Sequence, residues 1–199
     1  MSESLLHIRP NYIDYAKVIG MFLVIFAHYY YYYPGMKSAT SSLLYSIHAI
    51  QLFHMPLFFI ISGFLYKEFR SYREELAKIW EKLCIPYVLL CWLSITTYFA
   101  FWGGFSWHKL YYTIIRFIMG FDNPYIHLDV VCGAMWFVYA LIIIRLIYMA
   151  AKKYHVILYL SILIGLVVMH LGNCLPFRMD SALVGFLFFT IGHCGKKWI

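Results

Sequence analysis

Apolar residues in this chain fall into long blocks, at residues 16–33, 43–66, 83–102, 134–151, 154–171 and 181–194. Within each block they run all the way round a helical wheel and do not keep to one stripe. A helix buried on every side is either the core of a large protein or a membrane span, and a span needs about 20 mostly apolar residues. The separators carry turn chemistry: "YPGMKSATSS" after the first block, "WGGFS" after the third, "GNCLPFRMDS" before the sixth. The pattern therefore predicts an all-α fold, a polytopic transmembrane helix bundle of about six spans, in one membrane domain covering residues 1–199. One connection differs. Residues 103–133 contain "WHKLYYTIIRFIMG", whose mixture of apolar and polar positions predicts an amphipathic helix at the outer interface or folded back into the membrane.

Composition agrees. The 199 residues are 63% hydrophobic and 13% charged, against roughly 45–50% and about 25% in soluble domains. The net charge of +7 does not point to nucleic acid, because the cations sit between apolar blocks and not on an aromatic-laced soluble face. They assign sides instead. The second connection carries Lys67, Arg70, Arg73, Lys78 and Lys82, Lys152 and Lys153 follow the fourth block, and Lys196 and Lys197 follow the sixth. By the positive-inside rule the N-terminus and these connections lie inside. Cys84, Cys91, Cys132, Cys174 and Cys194 include no C-x-x-C pair and read as small buried hydrophobes. The first block has no small-residue cleavage site after it, so it is expected to stay in the protein. The last residues, "GHCGKKWI", stop at a membrane exit, which predicts that this chain is a truncation.

Polar residues inside the blocks are the candidate chemistry. The first block begins "DYAKVIGMFLVIFAH" and runs into the tyrosines Tyr29 to Tyr33, an aromatic belt at the outer surface. Eleven residues separate Lys17 from His28. At about 100° per residue that is three turns plus 20°, with a rise of roughly 16 Å. Lys17 and His28 therefore share a face, and Asp14, one turn before Lys17, joins it. Facing lipid, such a charge would cost about 2.5–3.5 kcal/mol, so the ridge is expected to face the protein interior or a wet cavity. Interfacial capping by Asp14 and Lys17, and a satisfied interface histidine at His28, are the blander readings. The second block holds His48, Gln51, His54 and Ser62 among apolar neighbours; Pro56 removes a backbone donor, and Gly63 permits close approach of a helix or ligand. No histidine spacing suits a metal, and none is assigned. Arg145, in the fourth block, either snorkels or reaches the core site.

At these residues the chain resembles the acyltransferase-3 family of integral membrane acyltransferases, especially its sugar O-acetylase branch. The family's first signature, a basic residue, ten positions and a histidine, matches Lys17 and His28. The second is similar to "FHMPLFFIISGFLY" at residues 53–66. Weaker similarities are "KLCIPY" from Lys82, "MWFVYAL" from Met135 and "LPFRMDSALVGFLFFTIG" from Leu175. The family has about ten helices, so the resemblance implies the first part of a ten-helix fold. Many members carry arginine where Lys17 and Lys82 stand, and lysine keeps the charge but not the fork.

The resemblance implies transfer of an acyl group, usually acetyl from acetyl-CoA, to a hydroxyl of a cell-surface glycan or lipid-linked sugar. It also implies an integral, multi-pass location in the plasma membrane, the inner membrane in bacteria, with the N-terminus cytoplasmic. On that reading His28 is the general base, supported by Lys17 and Asp14; His54, Gln51, Ser62 and Trp136 line the acceptor site, unless Trp136 is a belt residue. Lys78, Lys82 and Arg73 hold the phosphates of the acyl-CoA co-substrate, unless they are ordinary inside charge. The rival is a transporter or flippase without chemistry, whose intramembrane histidines relay protons. A structural subunit glued by polar residues is a third.

Overall fold

The computed structural model describes residues 11–32, 41–119, 135–171 and 179–196. Among the described residues all regular structure is helical: α1 (Asn11–Tyr32), α2 (Ser41–Leu65), α3 (Tyr72–Ile79), α4 (Ile85–Tyr98), α5 (Trp107–Met119), α6 (Trp136–Lys153), α7 (His155–Leu171) and α8 (Met179–Gly195). Single π-helical turns, Trp80–Cys84 and Phe99–Gly103, extend α4 at both ends. Pro86 has no N–H for the Lys82 carbonyl. The ladder slips there, and the Ile85 N–H reaches back five residues to the Trp80 carbonyl. Apart from Tyr66 and Tyr154 at block ends, the described parts of all six apolar blocks are helical. Two runs, Tyr45–Leu65 and Tyr72–Phe101, are long and apolar enough to cross a membrane; His155–His170 and Met179–Gly195 are shorter apolar helices. The side chains of the tyrosine belt, and the last connection up to Arg178, lie outside the described residues.

The chain divides into two packing units: residues 1–66 with 188–199, and residues 67–187. In the first, α1 packs on α2 through a seam of Ile13, Gly20 and Ala27, seven apart and all buried. The Phe58 ring lies 3.0 Å from where a Cβ on Gly20 would stand. The second half of α8 crosses α2 at two glycines. A Cβ on Gly63 would stand 1.9 Å from the Phe189 carbonyl oxygen, and one on Gly192 would stand 2.0 Å from that of Ile60. The backbones touch reciprocally, which only residues without side chains allow. The close approach expected at Gly63 is thus made by a helix. Beside it the Tyr66 ring meets Phe189 and His193 edge-on at 5.5 and 5.7 Å.

In the second unit, residues 67–79 lie along α6. Glu75 is wholly buried, and its Oε1 accepts from Arg145 Nε at 2.8 Å and Nη2 at 2.5 Å. Seven residues earlier, Glu68 Oε2 accepts from Lys152 Nζ at 2.5 Å, and that ammonium also lies 4.4 Å from the centre of the Phe69 ring. The acids ascend as their cations descend, so the strap runs antiparallel to α6. Arg145 is neither a snorkelling residue nor part of the candidate site; it is the partner of Glu75. Removing one member of a buried pair strands the other, at about 3–5 kcal/mol. Glu75→Ala is therefore expected to lower the thermal midpoint far more than Glu68→Ala, whose carboxylate is 58% exposed; equal shifts in a melting assay would contradict this.

Gly104, at φ +55°, turns the chain from the α4 extension into α5. The Tyr87 hydroxyl donates to the Phe117 carbonyl at 2.7 Å and the Tyr139 hydroxyl to that of Ile118 at 3.2 Å, tying the last turn of α5 to α4 and α6. The amphipathic helix expected in this connection is α5, with Trp107, Tyr111, Ile114 and Ile118 in one exposed stripe. Elsewhere α4 exposes Val88, Leu89, Trp92 and Leu93, and α7 exposes Val156, Tyr159, Leu160 and Leu163. Soluble monomers rarely expose contiguous apolar faces of this extent; lipid accounts for them.

Candidate active site

The hairpin of α1 and α2 carries the first group of candidate residues. Nine residue steps lead from Tyr32 to Ser41 and reach at most about 32 Å, less than the roughly 33 Å length of a 22-residue helix combined with the about 8–10 Å between packed helices. The pair is therefore antiparallel. With Gly20 opposite Phe58, His28 comes level with Ile50, about one turn along α2 from His54. By the same register Lys17 comes level with Ile61 and Ser62.

Both histidines are held in one way. His28 Nδ1 donates to the Val24 carbonyl at 2.8 Å and His54 Nδ1 to the Ile50 carbonyl at 2.7 Å. A carbonyl can only accept, so Nδ1 carries the proton in each ring. The neutral imidazole then offers the lone pair of Nε2. This is the tautomer and orientation a general base requires. His54 is buried, at 4% exposure, and His28 half-buried. They differ in access more than in chemistry.

Lys17 and His28 flank the packed seam of α1 and are half-buried together. Asp14 stands farther round. Its side chain is 55% exposed, that of Lys17 is 36% exposed, and their charged atoms are 3.8 Å apart. At that exposure the ion pair contributes little to stability; its effect is to orient the ammonium. The ridge read from spacing thus lies at the margin of the α1–α2 contact, with Lys17 and His28 at the seam's edge and Asp14 outside it. Ser62 is half-buried on α2. Gln51 also belongs to α2, with its side chain outside the described residues. Sequence reasoning missed Tyr66 and His193, which meet beside the Gly63–Gly192 crossing. The aromatic end of "SGFLY" was the available signal for Tyr66; a histidine in the last turn of the final helix gave none.

The second unit holds the other candidates. Lys78 Nζ donates to Glu74 Oε1 at 2.5 Å, while Lys82 and Arg73 are exposed. Four residues separate Lys78 from Lys82, which puts them on neighbouring positions of the helix surface; Arg73 is about 140° round from Lys78. The three cations expected to act together are therefore split between two faces. Trp136 opens α6, half-buried, with its ring 6.4 Å from that of Phe137 in an edge-on arrangement.

A family model described as an acyltransferase domain matches residues 11–198, nearly the whole chain. The chain belongs to the acyltransferase-3 family. This membrane acyltransferase found no match among the curated proteins or the solved structures. Membership selects acyl transfer over the transporter and structural readings.

Proposed function

We propose that this acyltransferase moves an acetyl group from acetyl-CoA to a hydroxyl of a cell-surface sugar or a lipid-linked polysaccharide precursor, with His28 as general base. The observation that carries the reading is the Nδ1 anchor of His28 on Val24. It leaves Nε2 as the ring nitrogen able to take a proton, on a half-buried edge that a substrate can reach. A sugar hydroxyl is a poor nucleophile until a base takes its proton. Nε2 accepts that proton as the hydroxyl oxygen attacks the thioester carbonyl carbon. The tetrahedral intermediate collapses, the carbon–sulfur bond breaks, and the imidazolium returns the proton to the departing thiolate. The products are a sugar ester and free CoA. Lys17, with Asp14 beside it, lies about 16 Å along α1 from His28 and is assigned to the donor; His54, Ser62, Gln51 and Trp136 are assigned to the acceptor.

The donor's phosphates are assigned to Lys78 and Lys82. Releasing Lys78 from Glu74 costs little, since an exposed i,i+4 pair contributes little to stability and a charge-assisted bond to phosphate replaces it. The cation distribution supports a cytoplasmic N-terminus, and six spans in the plasma membrane, the inner membrane in bacteria, are part of the proposal. Transfer of label from acetyl-CoA to isolated surface glycan tests the reaction, and absence of an acetyl-sized mass increment on the glycan refutes it. In the same assay Lys82→Gln with Lys78→Gln is expected to raise the donor KM roughly tenfold or more while kcat stays within about twofold. A fall in kcat at unchanged KM would remove both lysines from the donor site.

A further inference from the structure

In residues 67–82, Glu68 and Glu75 are turned onto Lys152 and Arg145 of α6 and Glu74 onto Lys78, whereas Lys67, Arg70, Arg73, Glu81 and Lys82 are exposed. The same segment exposes a regular apolar stripe, Tyr72, Leu76 and Trp80. These residues recur every four positions, and Arg73, seven before Trp80, lies about 20° from it round the helix. The contacts with α6 thus leave a face on α3 that is aromatic, uncovered and edged by the cation of Arg73.

Length gives an independent reason to place this face. The run Tyr72–Phe101 is helical over 30 residues, or about 45 Å, while the hydrocarbon layer is about 30 Å thick. The surplus is about ten residues. Residues 83–101 contain no charged side chain, whereas 72–82 contain Arg73, Glu74, Glu75, Lys78, Glu81 and Lys82. The surplus is therefore the α3 end, which lies in the headgroup layer, continuous with the apolar face that α4 turns to lipid. Tyrosine and tryptophan favour that depth.

We propose that the outward face of α3, formed by Tyr72, Arg73, Leu76 and Trp80, with the exposed Arg70 two residues before the helix, binds anionic phospholipid headgroups. The Arg73 guanidinium matches a phosphodiester in bidentate geometry, Arg70 adds charge at the helix start, Trp80 and Tyr72 sit over the glycerol region, and Leu76 enters the acyl boundary. Lys78 and Lys82, on the other side of the helix, stay with the donor. The proposal rests on the membrane-acyltransferase reading but not on the chemistry of His28: a His28→Ala protein that has lost transfer is expected to keep its lipid affinity.

Titration of the full chain in detergent with phosphatidylglycerol, followed by native mass spectrometry, tests it. Each exposed arginine near an anionic surface is worth about fivefold in affinity. The double variant Arg70→Gln with Arg73→Gln is therefore expected to bind phosphatidylglycerol roughly twentyfold more weakly. Binding of phosphatidylcholine is expected to be unchanged, and Lys109→Gln, on α5, to match the parent. Excess CoA is expected not to displace the lipid. In vesicles, brominated phosphatidylglycerol is expected to quench a fluorescence component that Trp80→Phe removes; that measurement decides alone if the double variant loses its fold. Equal phosphatidylglycerol affinity in parent and double variant overturns the proposal. So does displacement by CoA, which would make the face a nucleotide site, or a Leu76→Cys disulfide between two copies that leaves lipid binding intact, which would make it a contact between copies. A Trp80 component blind to the brominated lipid overturns it as well.

Discussion

Replacing His28 by alanine is expected to lower kcat for acyl transfer by about 10²- to 10⁴-fold, the usual contribution of a positioned general base. The protein is expected to keep its helical content and elution volume, because the imidazole's hydrogen bond is to its own helix, one turn back, and its face is half-open. His54→Ala is the discriminating companion. That ring has the same Nδ1 anchor but is buried, so its loss opens a cavity and lowers the melting temperature, with a smaller effect on kcat per folded molecule. Labelled acetyl-CoA with purified variants, corrected for folded fraction, reads both. Transfer in His28→Ala within tenfold of the parent would move the base elsewhere, and abolition by His54→Ala alone would move it to α2.

The eleven-residue offset from Lys17 to His28 was legible because helical periodicity is local: two positions on one helix have a relation that needs no tertiary knowledge. The helical blocks and the amphipathic α5 were legible for the same reason. Asp14 shows the limit of that method. Its angular offset from Lys17 is about 60°, close enough to join a ridge on a wheel, yet the seam it was expected to border is centred on Ile13, Gly20 and Ala27, and Asp14 falls outside it. Arg73 was grouped with Lys78 and Lys82 by counting charge along a connection, and the same wheel applied to α3 separates them. Glu75 was invisible for a different reason. In "KEFRSYREELAKIWEK" any acid reads as solvated, and only the partner 70 residues away makes this one buried.

The glycine crossing shows most directly what pairing adds. From the sequence, Gly63 is one small residue in an apolar run, and Gly192 is another. Together they allow two backbones to meet where a methyl group would stand about 2 Å from a carbonyl oxygen on either side. No rotamer change relieves that clash, because the obstructing atoms are main chain. Gly63→Leu and Gly192→Leu are each expected to abolish assembly of α8 on α2, and Gly63→Ala to cost at least the roughly 1–3 kcal/mol of an overpacked core. Gly20→Ala is the control: its nearest obstacle, at 3.0 Å, is the far end of the Phe58 side chain, which can swing aside. The expected order of thermal midpoints is parent, then Gly20→Ala close behind, then Gly63→Ala well below. Equal midpoints for the two alanine variants would mean that the helices do not touch at Gly63. The shared boundary that brings Tyr66 beside His193 would then have to be redrawn with it.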